Sequence, residues 1–251
     1  MIRASLLICG CILFTQASAL NRSEADSLVA AGQRAYAEGR YEEARAAFDS
    51  TARDFRSASL CLALGNAHYK LGDAAHAILW YERGLRLAPN DADLQTNLDL
   101  ANEQIRDRIA PGSITGLGKT WSMLRGNDPD AWARYALFVC LLLFIMLGLA
   151  RLSQGLKRQA AYTLSGVMAI ALITCLTIAW SSHRELRSDS EAIILVAKVE
   201  ALSEPRSTAK ALFVLHRGAK VQAAPETDGW CAVQLPNGTT GWLPSSALER
   251  I

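Results

Sequence analysis

Two apolar runs limit what this chain can become. Ala131–Ala150 is 20 residues long with one charge, Arg134, near its start. Ala160–Trp180 is 21 residues long with none. A helix rises about 1.5 Å per residue, so roughly 20 apolar residues cross a hydrocarbon core of about 30 Å. The stretch between them, Arg151–Gln159, is short and carries Arg151, Lys157 and Arg158. This predicts a hairpin of two membrane helices, 131–150 and 160–181, joined by a basic loop, 151–159. Basic residues in short loops stay on the cytoplasmic side, so both outer ends of the hairpin belong in the other compartment. The competing reading is a buried helix pair of a soluble protein, but such helices seldom run this long without polar residues.

The amino terminus agrees with export. Arg3, the apolar stretch Ala4–Phe14 and the small-residue exit Ala17-Ser18-Ala19 have the form of a cleavable secretory signal over residues 1–19. The alternative is an uncleaved anchor. Residues 20–130 and 182–251 are therefore expected outside the cytoplasm.

Residues 20–109 carry an internal repeat. Gly32, Tyr36, Gly39, Ala44 and Phe48 recur as Gly65, Tyr69, Gly72, Ala77 and Tyr81, each pair 33 residues apart. A period near 34 with small residues at fixed places and an aromatic late in the unit is the tetratricopeptide pattern. Gly32 and Gly65 are small where two antiparallel helices cross, and Gly39 and Gly72 fall at the turn between those helices. Phe48 and Tyr81 fill the space between helices. Pro89 stops the second repeat, and Asn90-Asp91 can cap a further amphipathic helix over Ala92–Arg108. That helix resembles the first half of a third repeat, left unpaired. Such repeats stack into a solenoid that binds peptides or other domains. Its concave face is lined by the first helix of each repeat, which implicates Val29, Gln33, Tyr36, Leu62, Asn66, Tyr69, Lys70 and Asn97. Asn66 and Asn97 occupy places where some relatives hold a peptide backbone through Asn side chains; the alternative is that both are ordinary consensus residues. Leu62 stands where a carboxylate-gripping base would be, which argues against a carboxylate clamp.

Residues 110–130 turn to Pro, Gly and Ser and read as a linker. Ile114, Leu117, Trp121 and Leu124 share one helical face, as in a helix lying in the membrane surface or under the repeats. After the connector 182–190, residues 191–251 take a strand period. Five or so short strands, with a Pro236-Asn237-Gly238 hairpin turn, suggest a small all-β barrel. The order Leu-His-x-Gly, Lys-Val, Gly229-Trp230, Asn-Gly and Gly241-Trp242-Leu243 resembles the bacterial SH3-like domain. Trp242 is expected in the core, and Trp230 is a candidate ligand platform.

The fold expected is thus a multidomain membrane protein: an all-α tetratricopeptide solenoid, a two-helix transmembrane hairpin and a small SH3-like barrel. Chemistry is absent from this list. His68, His76, His183 and His216 show no metal-binding spacing, so neither a metal nor another cofactor is expected. Cys61 and Cys231 fall in separate domains and are expected reduced and buried. There is no phosphate loop or nucleophile elbow, and no basic patch interleaved with aromatics that would suit nucleic acid. The chain is not expected to be an enzyme.

The order of modules, with Ala77-Ile78-Leu79-Trp80-Tyr81-Glu82-Arg83 and Leu87-Ala88-Pro89-Asn90-Asp91 inside it, resembles the BatE-type proteins of the bacterial Bat aerotolerance operon. The resemblance implies an inner-membrane protein with both soluble domains in the periplasm. Its partners would be von Willebrand A-type membrane proteins of the same operon, in a scaffold linked to oxidative-stress tolerance. A second reading, from the barrel alone, is a module that binds or senses peptidoglycan.

Overall fold

The computed structural model describes residues 20–107, 130–152, 154–186 and 190–251. The expected signal sequence and the amphipathic segment of the linker lie outside the described residues.

Among the described residues, five helices come first: α1 (Arg22–Ala37), α2 (Tyr41–Ala52), α3 (Ala58–Lys70), α4 (Ala74–Leu87) and α5 (Ala92–Asn102). Each begins where the sequence supplies an acceptor for its free N–H groups, or just after a tight turn. Asn21 caps α1 in a capping box with Glu24. Ser57, Asp73 and Asp91 cap α3, α4 and α5. Gly39 and Gly72 turn the chain between paired helices with φ of +78° each, a conformation that costs a residue with a Cβ. The two pairs, α1–α2 and α3–α4, stack through α2 and α3, and α5 packs on α4. Ala44, Phe48, Ala77 and Tyr81 are fully buried, as the repeat predicted. A Cβ on Gly32 would stand 2.6 Å from the Phe48 ring, and one on Gly65 would overlap the Tyr81 ring. The glycines therefore set how closely the paired helices approach.

Two long helices follow, α6 (Ala131–Leu152) and α7 (Leu156–Leu186), packed against each other. Both are long and apolar enough to cross a membrane. Phe138, Leu141, Phe144, Val167, Ile170 and Ile173 all stand exposed along them. The turn is tighter than the sequence suggested. The helices extend to Leu152 and from Leu156, and Gly155 reverses the chain with φ of +58°. Arg151 ends α6, and Lys157 and Arg158 open α7, so the basic residues belong to helix ends and not to a loop. Arg158 lies over the Tyr162 ring at 5.7 Å. Trp132, edge-on to Tyr135 at 5.8 Å, and Trp180 mark the opposite end of the hairpin.

The last part is one antiparallel sheet of seven strands: β1 (Glu191–Ile194), β2 (Lys198–Leu202), β3 (Ala211–His216), β4 (Lys220–Ala223), β5 (Trp230–Gln234), β6 (Thr240–Pro244) and β7 (Leu248–Arg250). Their order is β3-β2-β6-β5-β4-β1-β7. The sequence suggests five or so strands, and seven form. The Asn237-Gly238 hairpin forms as expected: Gly238 has φ of +88°, and Gln234 pairs with Thr240. Ile194, Ala201, Leu215, Val221, Cys231, Val233 and Leu243 share one core, drawn from six of the strands.

This sheet packs against the helical repeats. Along β1, Ala192 and Ile194 enter the sheet's own core, whereas Ile193 points the other way into the helical one. Alternate side chains of a strand face opposite sides, so a single strand serves both cores. Ile193 is fully buried among Ile78, Leu79, Leu94 and Ala101. Ile105 abuts Gly218 in the β3–β4 turn so closely that a Cβ there would overlap it. The helix expected over Ala92–Arg108 stops at Asn102 because the following residues hold the sheet instead. Asp107 accepts the backbone N–H of His216 at 2.6 Å. Ion pairs rim the contact: Arg83–Glu249 at 2.8 Å, Lys220–Glu82 at 3.0 Å and Arg217–Asp73 at 3.2 Å.

Candidate functional site

The repeat face named from the sequence is carried by α1, α3 and α5, and α3 touches both of the others. Residues three and four apart share a helix face, which groups Val29, Gln33 and Tyr36 on α1 and Leu62, Asn66, Tyr69 and Lys70 on α3. Gln33 and Lys70 are exposed. Val29 and Tyr36 are half-buried against the core of the first repeat, Leu62 and Tyr69 against that of the second. The two asparagines do internal work. Asn66 Oδ1 accepts the Tyr81 hydroxyl at 2.8 Å, and Asn97 Nδ2 donates to the Asp93 carbonyl at 2.8 Å in its own helix. Burial pushes the Tyr81 phenol far above its ordinary value, so it stays protonated and keeps donating. Of the residues named from the sequence, Gln33 and Lys70 are thus the exposed polar ones, whereas both asparagines are held by internal hydrogen bonds. Arg83 lies over the Trp80 ring at 4.9 Å and ties α4 to the sheet through Glu249.

A second surface lies on the sheet. Cys231 and Val233 of β5, and Gly241 and Leu243 of β6, are the buried alternates. Trp230 and Trp242 consequently point outward. This corrects the expectation that Trp242 fills the core: it follows from the two-residue period, because Gly241 and Leu243 already occupy the inner positions. Trp242 pairs across the sheet with Ala232 and with Leu202. It lines a groove of about 650 Å³ with Leu212, Gln222, Pro225 and Gln234. Trp230, the residue singled out from the sequence, is half-buried and does not line it. Arg250 closes one end, donating to the Ala223 and Ala224 carbonyls at 3.2 and 2.6 Å. An indole face beside two carboxamides suits a short peptide: the ring takes an apolar group and the amides take its backbone.

A third cluster was not visible in the sequence. His68, Asp73 and His76 meet at the turn of the second repeat. His76 Nδ1 is 2.7 Å and His68 Nδ1 3.5 Å from Asp73 Oδ2, and the rings stack at 5.0 Å. Burial alone would raise the Asp73 carboxyl, but hydrogen bonds from His68 and His76 outweigh it and hold the group well below the usual carboxylate range. The eight-residue separation matches no single-helix metal motif; the Gly72 turn alone makes these side chains neighbours. Cys61 and Cys231 are buried free thiols whose ionisation burial makes harder.

Comparison with known families agrees with the two soluble modules. Residues 58–91 match the Tetratricopeptide repeat family, covering α3 and α4. Residues 202–249 match the Bacterial SH3 domain family, from the end of β2 into β7. No curated protein matches the chain. The chain thus carries a tetratricopeptide repeat and a bacterial SH3 domain, joined through two apolar helices.

Proposed function

We propose that this protein is a membrane-anchored scaffold that recruits protein partners in the periplasm of a bacterium. The observation that carries the reading is the seam. The repeats and the sheet pack through Ile193 and Ile105 although two apolar helices separate them in the chain. A contact of that kind requires both modules in one compartment, and a hairpin returns the chain to the side it left. The polarity of the hairpin supports the side chosen. The helix ends that flank its turn are basic and belong in the cytoplasm, and its open end carries Trp132 and Trp180, residues suited to a headgroup layer. The repeat face, through Gln33, Tyr36, Tyr69 and Lys70, is the recruiting surface, and the role is binding without catalysis. Membership of a Bat-type aerotolerance complex, with von Willebrand A-type membrane proteins as partners, is the finer form of this proposal. It rests on the resemblance in module order.

Fusing a periplasm-active reporter after Ile251, and separately after Arg108, tests the arrangement. Activity from both fusions is the expected result. Activity from only one would mean that one apolar helix does not span, and the single-compartment scaffold would fail.

One observation favours a second reading, attachment to peptidoglycan. The groove beside Trp242 is built from an indole, amides and small apolar groups, and all of its lining except Ser190 and Arg250 lies within the residues that match the Bacterial SH3 domain family. A stem peptide has the alternating methyl and amide groups that such a groove would hold.

A further inference from the structure

The turn of the second repeat carries chemistry that neither binding surface uses. His68 lies in the last turn of α3, Gly72 reverses the chain, and Asp73 and His76 open α4. One ligand atom from each of His68, Asp73 and His76 lies within 4.8 Å of the other two. The two carboxylate oxygens have separate tasks. Asp73 Oδ1 accepts the backbone N–H of His76 at 3.3 Å, capping α4, and meets Arg217 Nη2 at 3.2 Å. Oδ2 faces the two imidazoles. We propose that His68, Asp73 Oδ2 and His76 form a binding site for a divalent transition cation, with zinc the best match, at the seam between the repeats and the SH3 domain.

Two imidazoles and one carboxylate are a donor set of the kind found in zinc sites that keep an open position. Ligands bound to one tetrahedral zinc stand roughly 3.3 Å apart, from bond lengths of about 2.0–2.2 Å. The His68–Asp73 separation of 3.5 Å already suits this, and the 2.7 Å between His76 and Asp73 must open by about half an ångström. The rings lie 16° from parallel, so binding tilts them until their in-plane lone pairs converge. His68 is buried and fixes one ligand, while the half-exposed His76 and Asp73 give the ion a path in.

Two positive groups oppose the cation: the amino terminus of α4 and the Arg217 guanidinium, which also lies 3.4 Å from His76 Nδ1. Arg217 belongs to the turn after β3, so it reaches the cluster from across the seam. A bound cation and the Arg217–Asp73 tie therefore compete, and the coupling between them is reciprocal. This separates a real site from a chance cluster, because removing a cation that competes must tighten binding.

The test is calorimetric titration of zinc chloride into the full chain, without an affinity tag, in detergent micelles. One ion per chain is expected. His76→Ala and Asp73→Asn should each weaken binding at least tenfold, and Arg217→Ala should tighten it severalfold. Asn still caps a helix, so Asp73→Asn preserves α4; circular dichroism checks that both variants stay folded. Absent binding overturns the proposal. So does zinc affinity that His76→Ala and Asp73→Asn leave unchanged, which would place the ion elsewhere in the chain. Unchanged affinity in Arg217→Ala overturns the competition across the seam.

Discussion

Gly65 shows how much one missing methyl group decides. The Tyr81 ring lies against its Cα, and the hydroxyl of that ring reaches Asn66 on the next residue position. Crossing distance, aromatic filling and hydroxyl satisfaction are one arrangement, repeated at Gly32 and Phe48 without the polar part. Gly65→Ala gains helix propensity but places a Cβ inside the ring's volume. Overpacking of this kind costs about 1–3 kcal/mol, so the helical domain should melt measurably lower, as followed by circular dichroism. An unchanged melting temperature would mean that Tyr81 can move aside. The spacing of Gly65 and Tyr81 could be read directly, since 33 residues separate each from its counterpart. What Asn66 does could not: a polar residue on a face of small and aromatic ones looks the same whether it waits for a peptide or serves a buried phenol.

Elements in this chain follow their periods closely, and the errors come from counting only one face. The apolar runs set α6 and α7, but the helices continue into Arg151, Leu152, Leu156, Lys157 and Arg158. Long basic side chains can lie along a helix end while their charges reach water, so charge by itself does not end a helix. On β6 the period of two places Gly241 and Leu243 inside and Trp242 outside. The large, apolar indole looked like a core residue, yet its neighbours had filled the interior. If the groove holds wall peptide, Trp242→Ala in the full chain should abolish co-sedimentation with purified peptidoglycan. The same change at Trp230, which is outside the groove, should not. Retention of the Trp242→Ala protein on the wall material would rule out this groove as the binding site.

For the whole molecule, the seam is the organising contact. Its centre is apolar, with Ile193 fully buried, and its rim is charged. The rim pairs are partly solvated, and pairs of that kind contribute about 0–1 kcal/mol each, so the apolar centre dominates and the rim sets register. Lys220 is held charged: burial lowers its affinity for the proton, but Glu82 and Glu191 more than compensate. Ile193→Asp buries an unpaired charge at the centre, which costs about 3–5 kcal/mol. Because Ile193 belongs to the helical core and not to that of the sheet, the modules should part without either unfolding. Hydrogen exchange is expected to speed up at residues 103–107, with the ladders of β1, β5 and β6 unaffected. If exchange is unchanged, the docking is not held by this residue.

The sequence by itself determined the parts. Length and apolarity specified the two spanning-type helices, a 33-residue recurrence specified the repeats, and Asn237-Gly238 with alternating apolar residues specified the sheet. These are signals along the chain, each legible in one contiguous stretch of sequence. Only the tertiary structure decided what crosses between parts. It stopped α5 at Asn102 so that Ile105 and Asp107 could hold the sheet, and it turned Trp242 outward. It also brought Arg217 within reach of Asp73 from 144 positions away. No period records such meetings, because burial at the seam depends on the shapes of two surfaces that the chain encodes separately and that meet only after each has folded.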